Sequence, residues 1–128
     1  MRRKAEGVKF SLVFEVFREK TMIDCIVVFV TAGSESEAET IAKMLVGEQL
    51  AACVNILSPV RSIYRWEGKL ADDREWLLVI KTRAERFPAV EARVKALHSY
   101  QVPEVIALPI VQGSGEYLRW LWEETGCT

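Results

Sequence analysis

The chain has a single histidine, His98. That excludes a His-rich metal centre built within one copy. Its three cysteines, Cys25, Cys53 and Cys127, show no C-x-x-C spacing. A zinc ribbon is therefore excluded, and reduced thiols in a reducing compartment, by default the cytoplasm, are expected. There is no G-x-G-x-x-G, no P-loop and no G-x-S-x-G, so no motif supplies a phosphate cradle, a dinucleotide site or a nucleophile elbow. An excess of one charge is missing too. The net charge is −1 and the pI about 5.9, which argues against nucleic acid, since that partner needs a basic patch. No apolar run approaches the roughly 18 residues of a membrane-spanning helix. Met1-Arg2-Arg3-Lys4 resembles the basic end of a signal peptide, but Lys9, Glu15, Arg18 and Glu19 follow and no small-residue cleavage site appears, against that reading.

What is present is apolar sequence in strand-length runs. At 128 residues, half of them hydrophobic, the chain suits one domain with a real core. Ile26 to Val30, Trp76 to Ile80 and Val105 to Val111 are apolar at both parities. A strand with one wet face alternates, whereas a strand covered on both faces does not. The helices are too few to cover two faces, so other copies of the chain are expected on the second face.

Residues 1–21 stand apart. Val8, Phe10, Leu12, Phe14 and Val16 alternate like a strand, while Phe10, Val13, Phe14 and Phe17 fit a helix, and the two readings stay open. Met22 marks the start of the domain core, so 1–21 reads as an extension and 22–128 as the domain. Strand 1 is expected over Cys25 to Thr31. Ser34 and Glu37 form a capping box opening a helix with Ala38, Ile41, Ala42, Leu45 and Val46 at helical spacing, ending near Gln49. Strand 2 is expected to start at Ala52 or Cys53, run through Val54 and Ile56, and resume from Ile63 to Trp66. Pro59 lies inside it, which places the strand at a sheet edge, bent. A loop around Gly68 to Asp73 leads to strand 3, Glu75 to Thr82. A second helix opens near Arg86 with Pro88 in its first turn and ends near His98. Strand 4 spans Glu104 to Val111, and a short helix covers Glu116 to Trp122. The order β-α-β-β-α-β predicts an α+β, ferredoxin-like sandwich with an extra C-terminal helix. Right-handed crossovers put both helices on one face. The other face is left bare and apolar, which closed cyclic assembly would cover.

Few side chains are candidates for chemistry. His98 reads as a helix cap favoured by the dipole, or as a metal ligand in a cleft between subunits. Cys53 reads as packing or as a soft ligand for copper or zinc. Glu67 and Glu104 are candidate acids, and Glu104 lies near His98 in sequence. Tyr64, Trp66, Trp76, Trp120 and Trp122 suit core or subunit contact, with ligand stacking as the alternative. Arg61, Arg65, Lys69 and Arg74 are solvated loop residues, or an anion site beside Asp72, Asp73 and Glu75.

Several phrases together point to one family. Leu50-Ala51-Ala52-Cys53-Val54-Asn55, Ser62-Ile63-Tyr64-Arg65-Trp66-Glu67-Gly68-Lys69 and Lys81-Thr82 resemble successive blocks of the CutA divalent-cation tolerance family. His98-Ser99-Tyr100-Gln101-Val102-Pro103-Glu104 is similar to its H-P-Y-x-x-P-E segment, and Gly115-Glu116-Tyr117-Leu118-Arg119-Trp120 to its closing block. The resemblance covers about Ile23 to Trp122. It implies a homotrimer in which long hairpin strands pair between neighbours, no enzymatic activity, and a link to copper or other divalent cations. Ser99 stands where the family has Pro, which implies a looser turn. Val30 and Leu97 stand where metal-binding members have Cys and His, which leaves His98, with Cys53 or Glu104, as the implied metal residues. The alternative is a trimeric sensor similar to the PII signalling proteins, binding an anion or nucleotide between subunits. A hydrolase or isomerase using His98 and Glu104 is a third reading.

Overall fold

The computed structural model describes residues 24–126. The extension read over 1–21, the Met22 boundary and Cys127 lie outside the described residues. The elements are β1 (Cys25–Ala32), α1 (Glu35–Gly47), β2 (Cys53–Trp66), β3 (Lys69–Arg83), a 3-10 turn (Ala84–Arg86), α2 (Phe87–Leu97), β4 (Val105–Pro109) and α3 (Gly115–Glu124). The strands form one sheet in the order β2-β3-β1-β4, with every neighbouring pair antiparallel. This is the α+β arrangement expected from the element order. No helix among the described residues is long and apolar enough to cross a membrane.

Alternation along the strands decides the layers. Ile26, Val28, Val30 and Ala32 of β1, with Leu78 and Ile80 of β3, are buried in one cluster with Ile41 and Leu45 of α1 and Val90 and Val94 of α2. Both crossover helices therefore lie on one face. The opposite face is not wholly bare, as the sequence had implied. Cys25 is buried there against Leu118 and Leu121 of α3. Elsewhere on that face Leu57, Ile106 and Leu108 are exposed.

The register places a bulge between Leu57 and Val60, and β2 is an edge strand. Pro59 sits in that bulge, where its missing N–H leaves no gap in the ladder. The expected loop from Gly68 to Asp73 is corrected: Trp66 pairs with Lys69, so the turn is Glu67-Gly68 alone and β3 begins at Lys69. Both turn residues have positive φ, 51° and 79°, as a tight hairpin turn matching strand twist requires. Asp72 and Asp73 are strand residues whose polarity reflects solvent around a free ribbon. A Cβ at Gly68 would meet nothing within 4 Å, so Gly68→Ala tests backbone strain without a clash. It should cost about 1 kcal/mol in urea unfolding, and an unchanged midpoint would remove the strain account.

β1 pairs with β3 only from Trp76 to Arg83. From Lys69 to Glu75, β3 has β2 as its only partner among the described residues. The hairpin thus projects past the sheet as a two-stranded ribbon, with Ile63 and Leu70 exposed on it. β4 is shorter than its apolar run and stops at Pro109.

Candidate functional site

Where the ribbon leaves the sheet, an open cleft of about 670 Å³ is lined by residues of β1, β2, β3 and the segment after α2. Its construction starts with His98. α2 ends when His98 turns to extended backbone while its N–H still donates to the Val94 carbonyl at 2.8 Å. The His98 side chain is 0% exposed. Its Nε2–H donates to the Thr31 carbonyl at 2.6 Å, and Nδ1 accepts the Tyr100 N–H at 3.0 Å. These partners require the neutral tautomer with the proton on Nε2. His98 ties the end of β1 to the segment after α2; its ring bonds no carbonyl of α2, so a tie between elements replaces the dipole-cap reading.

Ser99 is held as well. Its N–H donates to Glu37 Oε2 at 2.6 Å and its Oγ to Oε1 at 3.1 Å. The looser turn implied for Ser99 is therefore corrected, since a proline there would lack the donated N–H. The capping box is also only half made. Ser34 Oγ accepts the Glu37 N–H at 3.1 Å, while the Glu37 carboxylate bonds Ser99. Tyr100 then passes over Gly33, where a Cβ would come within 3.0 Å of its hydroxyl, and donates from Oη to Glu75 Oε2 at 2.8 Å. Glu75 is only 5% exposed.

The cleft is acidic and aromatic. Its ionisable lining comprises Asp73, Glu75 and Glu104 with the phenols of Tyr64 and Tyr100; Trp66, Ile63 and Val102 add apolar wall. Burial, then the charge on Glu75, raises the Glu104 carboxyl above its ordinary 4.5. Burial, then donation to Glu75, raises the Tyr100 phenol. The Tyr64 hydroxyl donates to Asp73, and that bond raises its phenol in turn.

The residues proposed from sequence do not converge. Cys53 pairs with Lys81, and Thr31, which His98 touches, pairs with Leu77 four positions along β3, roughly 13 Å away at about 3.3 Å per residue. Cys53 has only a weak contact, 3.9 Å from its Sγ to Asn55 Oδ1, and the same oxygen accepts from Lys81. Glu104 is in the cleft. Glu67 sits in the hairpin turn. Arg61 forms a two-pronged pair with Asp72 at 2.9 and 2.7 Å, out in solvent, and none of Arg61, Arg65, Lys69 or Arg74 lines the cleft. Of the aromatic set, Tyr64 and Trp66 reach the cleft, while Trp76 packs on the helix-side core and Trp120 and Trp122 pack around α3. Among the described residues no three His, Cys, Asp or Glu side chains are placed to hold one metal ion. Sequence reasoning missed the Tyr100–Glu75 pair. Its one cue was Tyr100 within the segment from His98 to Glu104.

Known proteins match this arrangement along most of the chain. A family model described as CutA1 divalent ion tolerance protein matches residues 26–124. The Divalent-cation tolerance protein CutA of Thermus thermophilus is 57% identical over 100 residues, covering 78% of this chain and 97% of that protein. A solved structure of that organism's divalent cation tolerance protein superposes with a TM-score of 0.78 at 56% identity, covering 80% of this chain and 99% of the other. The chloroplastic protein CutA of Arabidopsis thaliana is 42% identical over 125 residues, 98% of this chain and 69% of that protein.

Proposed function

The chain belongs to the CutA1 divalent ion tolerance family, and from that premise we propose that it acts in the response to divalent cations, copper among them, as a homotrimer that catalyses no reaction. The match over residues 26–124 carries the reading. The trimer draws support from two features of the fold. One is the apolar sheet face left open beside α3; the other is the ribbon of β2 and β3, because a two-stranded ribbon is marginal on its own and an exposed edge invites pairing. The unpaired thiols of Cys25 and Cys53 fit a reducing compartment such as the cytoplasm.

The side chains of one copy do not fit a closed metal centre. Both His98 nitrogens are spent on backbone groups, Cys53 lies away at the start of β2, and Glu104 joins carboxylates in an open cleft. We therefore assign the chain a weak, exchangeable contact with cations, centred on Glu104 and its neighbours, with His98 as a positioning residue. The anion-sensor alternative loses its support, since acids and not Arg or Lys line the cleft. Calorimetric titration of the reduced oligomer with Zn(II), and with Cu(I) under reducing conditions, tests the assignment. Zn(II) should bind in the high micromolar range or weaker. His98→Ala should lower thermal stability and leave that weak isotherm in place. Sub-micromolar binding at a fixed ratio, lost in His98→Ala or Cys53→Ser, would replace this reading with a specific metal site.

A further inference from the structure

We propose that His98 is a proton-operated latch: once protonated, its imidazole gives up the Tyr100 N–H and draws the Glu37 carboxylate away from Ser99, which loosens the segment that seats Tyr100 against Glu75. The proposal does not depend on the cation-tolerance reading. Residues 99–104 lie outside helix and strand, so the bonds made at the start of that segment fix its course. His98 holds the first of them with a side chain that is 0% exposed. Its Nε2–H donates to the Thr31 carbonyl at 2.6 Å, and Nδ1 accepts the Tyr100 N–H at 3.0 Å. Imidazole is the side chain whose ordinary titration falls between about pH 5 and pH 8. A proton on Nδ1 turns an acceptor into a donor, which then faces the Tyr100 N–H, donor against donor. The Thr31 bond survives, because Nε2 already carries its proton. A buried imidazolium needs an anion, and α1 supplies one: Glu37 Oε2 stands 3.6 Å from Nδ1. The same oxygen accepts the Ser99 N–H at 2.6 Å, while Oε1 accepts the Ser99 Oγ at 3.1 Å. One carboxylate thus has two claimants, and the charge on His98 decides between them. Ser99 is exposed, so its freed N–H turns to water at little cost. Of the other elements around the ring, β1 offers the Thr31 carbonyl and β3 offers Glu75, behind Tyr100. The Tyr100 ring lies 4.6 Å from the imidazole centroid. Its phenol, raised by burial and by donation to Glu75, stays protonated while His98 titrates. Tyr100 is therefore the output: its N–H reports on His98 and its Oη reaches Glu75 at 2.8 Å.

His98 is the only histidine of the chain, so its ring nitrogens are recognised directly in nitrogen-15 spectra. The test follows them from about pH 8 to about pH 5, on the full chain in its native oligomeric state and in buffer freed of metal by a chelator. Nδ1 should pass from the signature of a bare nitrogen to that of an N–H while the fold is retained. The Ser99 and Tyr100 amide signals should move with the same midpoint. Hydrogen exchange at the Tyr100 N–H, corrected for the intrinsic rate at each pH, should quicken by about tenfold across the transition. Glu37→Gln leaves an amide oxygen for the Ser99 N–H and removes the charge, and should need about tenfold more acid, or more, to protonate His98. Ser99→Ala, at an exposed position, removes the Oγ claim on Glu37 and should move the transition to higher pH; it decides the matter if Glu37→Gln does not fold. An imidazole that stays neutral until the chain unfolds, protonation that leaves the Ser99 and Tyr100 amides unmoved, or an unchanged transition in both variants overturns the proposal. With no metal present, none of these outcomes bears on the cation-tolerance reading.

Discussion

Replacing Arg83 with methionine should destabilise the chain by about 3 kcal/mol, among the larger effects open to a single side chain here. Arg83 is the last residue of β3 and is 6% exposed. Its Nε donates to Thr125 Oγ1 at 3.0 Å and one terminal nitrogen to the Thr125 carbonyl at 2.8 Å. The guanidinium also lies 4.1 Å from the centroid of a Trp122 ring. These contacts fasten the end of α3 over the open face of the sheet. The further ion pair with Glu85 reaches into solvent and adds little. Methionine keeps the apolar stem and leaves Thr125, fully buried, short of a donor. Arg86 also donates to the Thr125 carbonyl, at 2.8 Å, so the carbonyl is not orphaned and the loss stops short of unfolding. Urea unfolding at one fixed protomer concentration reads the effect. Arg83→Lys should recover less than half of the loss, because an ammonium cannot reproduce the two-pronged geometry. A midpoint within 1 kcal/mol of the parent for Arg83→Met would show that α3 is held by its apolar face alone.

Ile106→Glu combined with Leu108→Glu should turn the trimer proposed above into a monomer. Both side chains are 51% exposed in the single chain, so a carboxylate at either position stays hydrated and costs one copy little. Both share the sheet face of Val27 and Phe29, because Ile106 pairs with Phe29 and Leu108 with Val27. In a closed ring every copy would bring the same face to the interface, and the added carboxylates would be desolvated beside one another without partners. Light scattering at micromolar concentration should report the mass of one chain, with the far-ultraviolet circular dichroism of the parent retained. A variant that keeps the parent's mass would place the subunit contact elsewhere, with the projecting ribbon as the next surface to alter.

Much of the fold could be read from residue order. The two-parity runs marked three of the strands, Ser34 and Pro88 marked helix starts, and Pro59 marked a bent edge strand. The hairpin turn was misplaced because Asp72, Asp73 and Arg74 look like a loop. They are strand residues on a ribbon wetted on both sides, where alternation has no buried face to report. The third helix was expected at about the right place, but nothing in its sequence said that it would close over Cys25.

The site was less legible, for a physical reason that each residue shows. Composition and local pattern determined an α+β fold with two crossover helices on one face, no phosphate-loop motif, and too few histidines for a metal centre in one copy. Tertiary structure alone decided what the polar side chains do. His98 could be placed at a helix end from sequence, but its ring nitrogens meet Thr31 from another element and Tyr100 beyond the helix. Glu37 has the spacing of a helix cap, yet its carboxylate is drawn 62 residues along the chain to Ser99. Tyr100 and Glu75 stand 25 residues apart and meet only because β3 outruns β1. Local pattern reports which face of an element avoids water, and that preference is written residue by residue. A hydrogen bond between distant side chains depends on strand order and register, which no single segment carries.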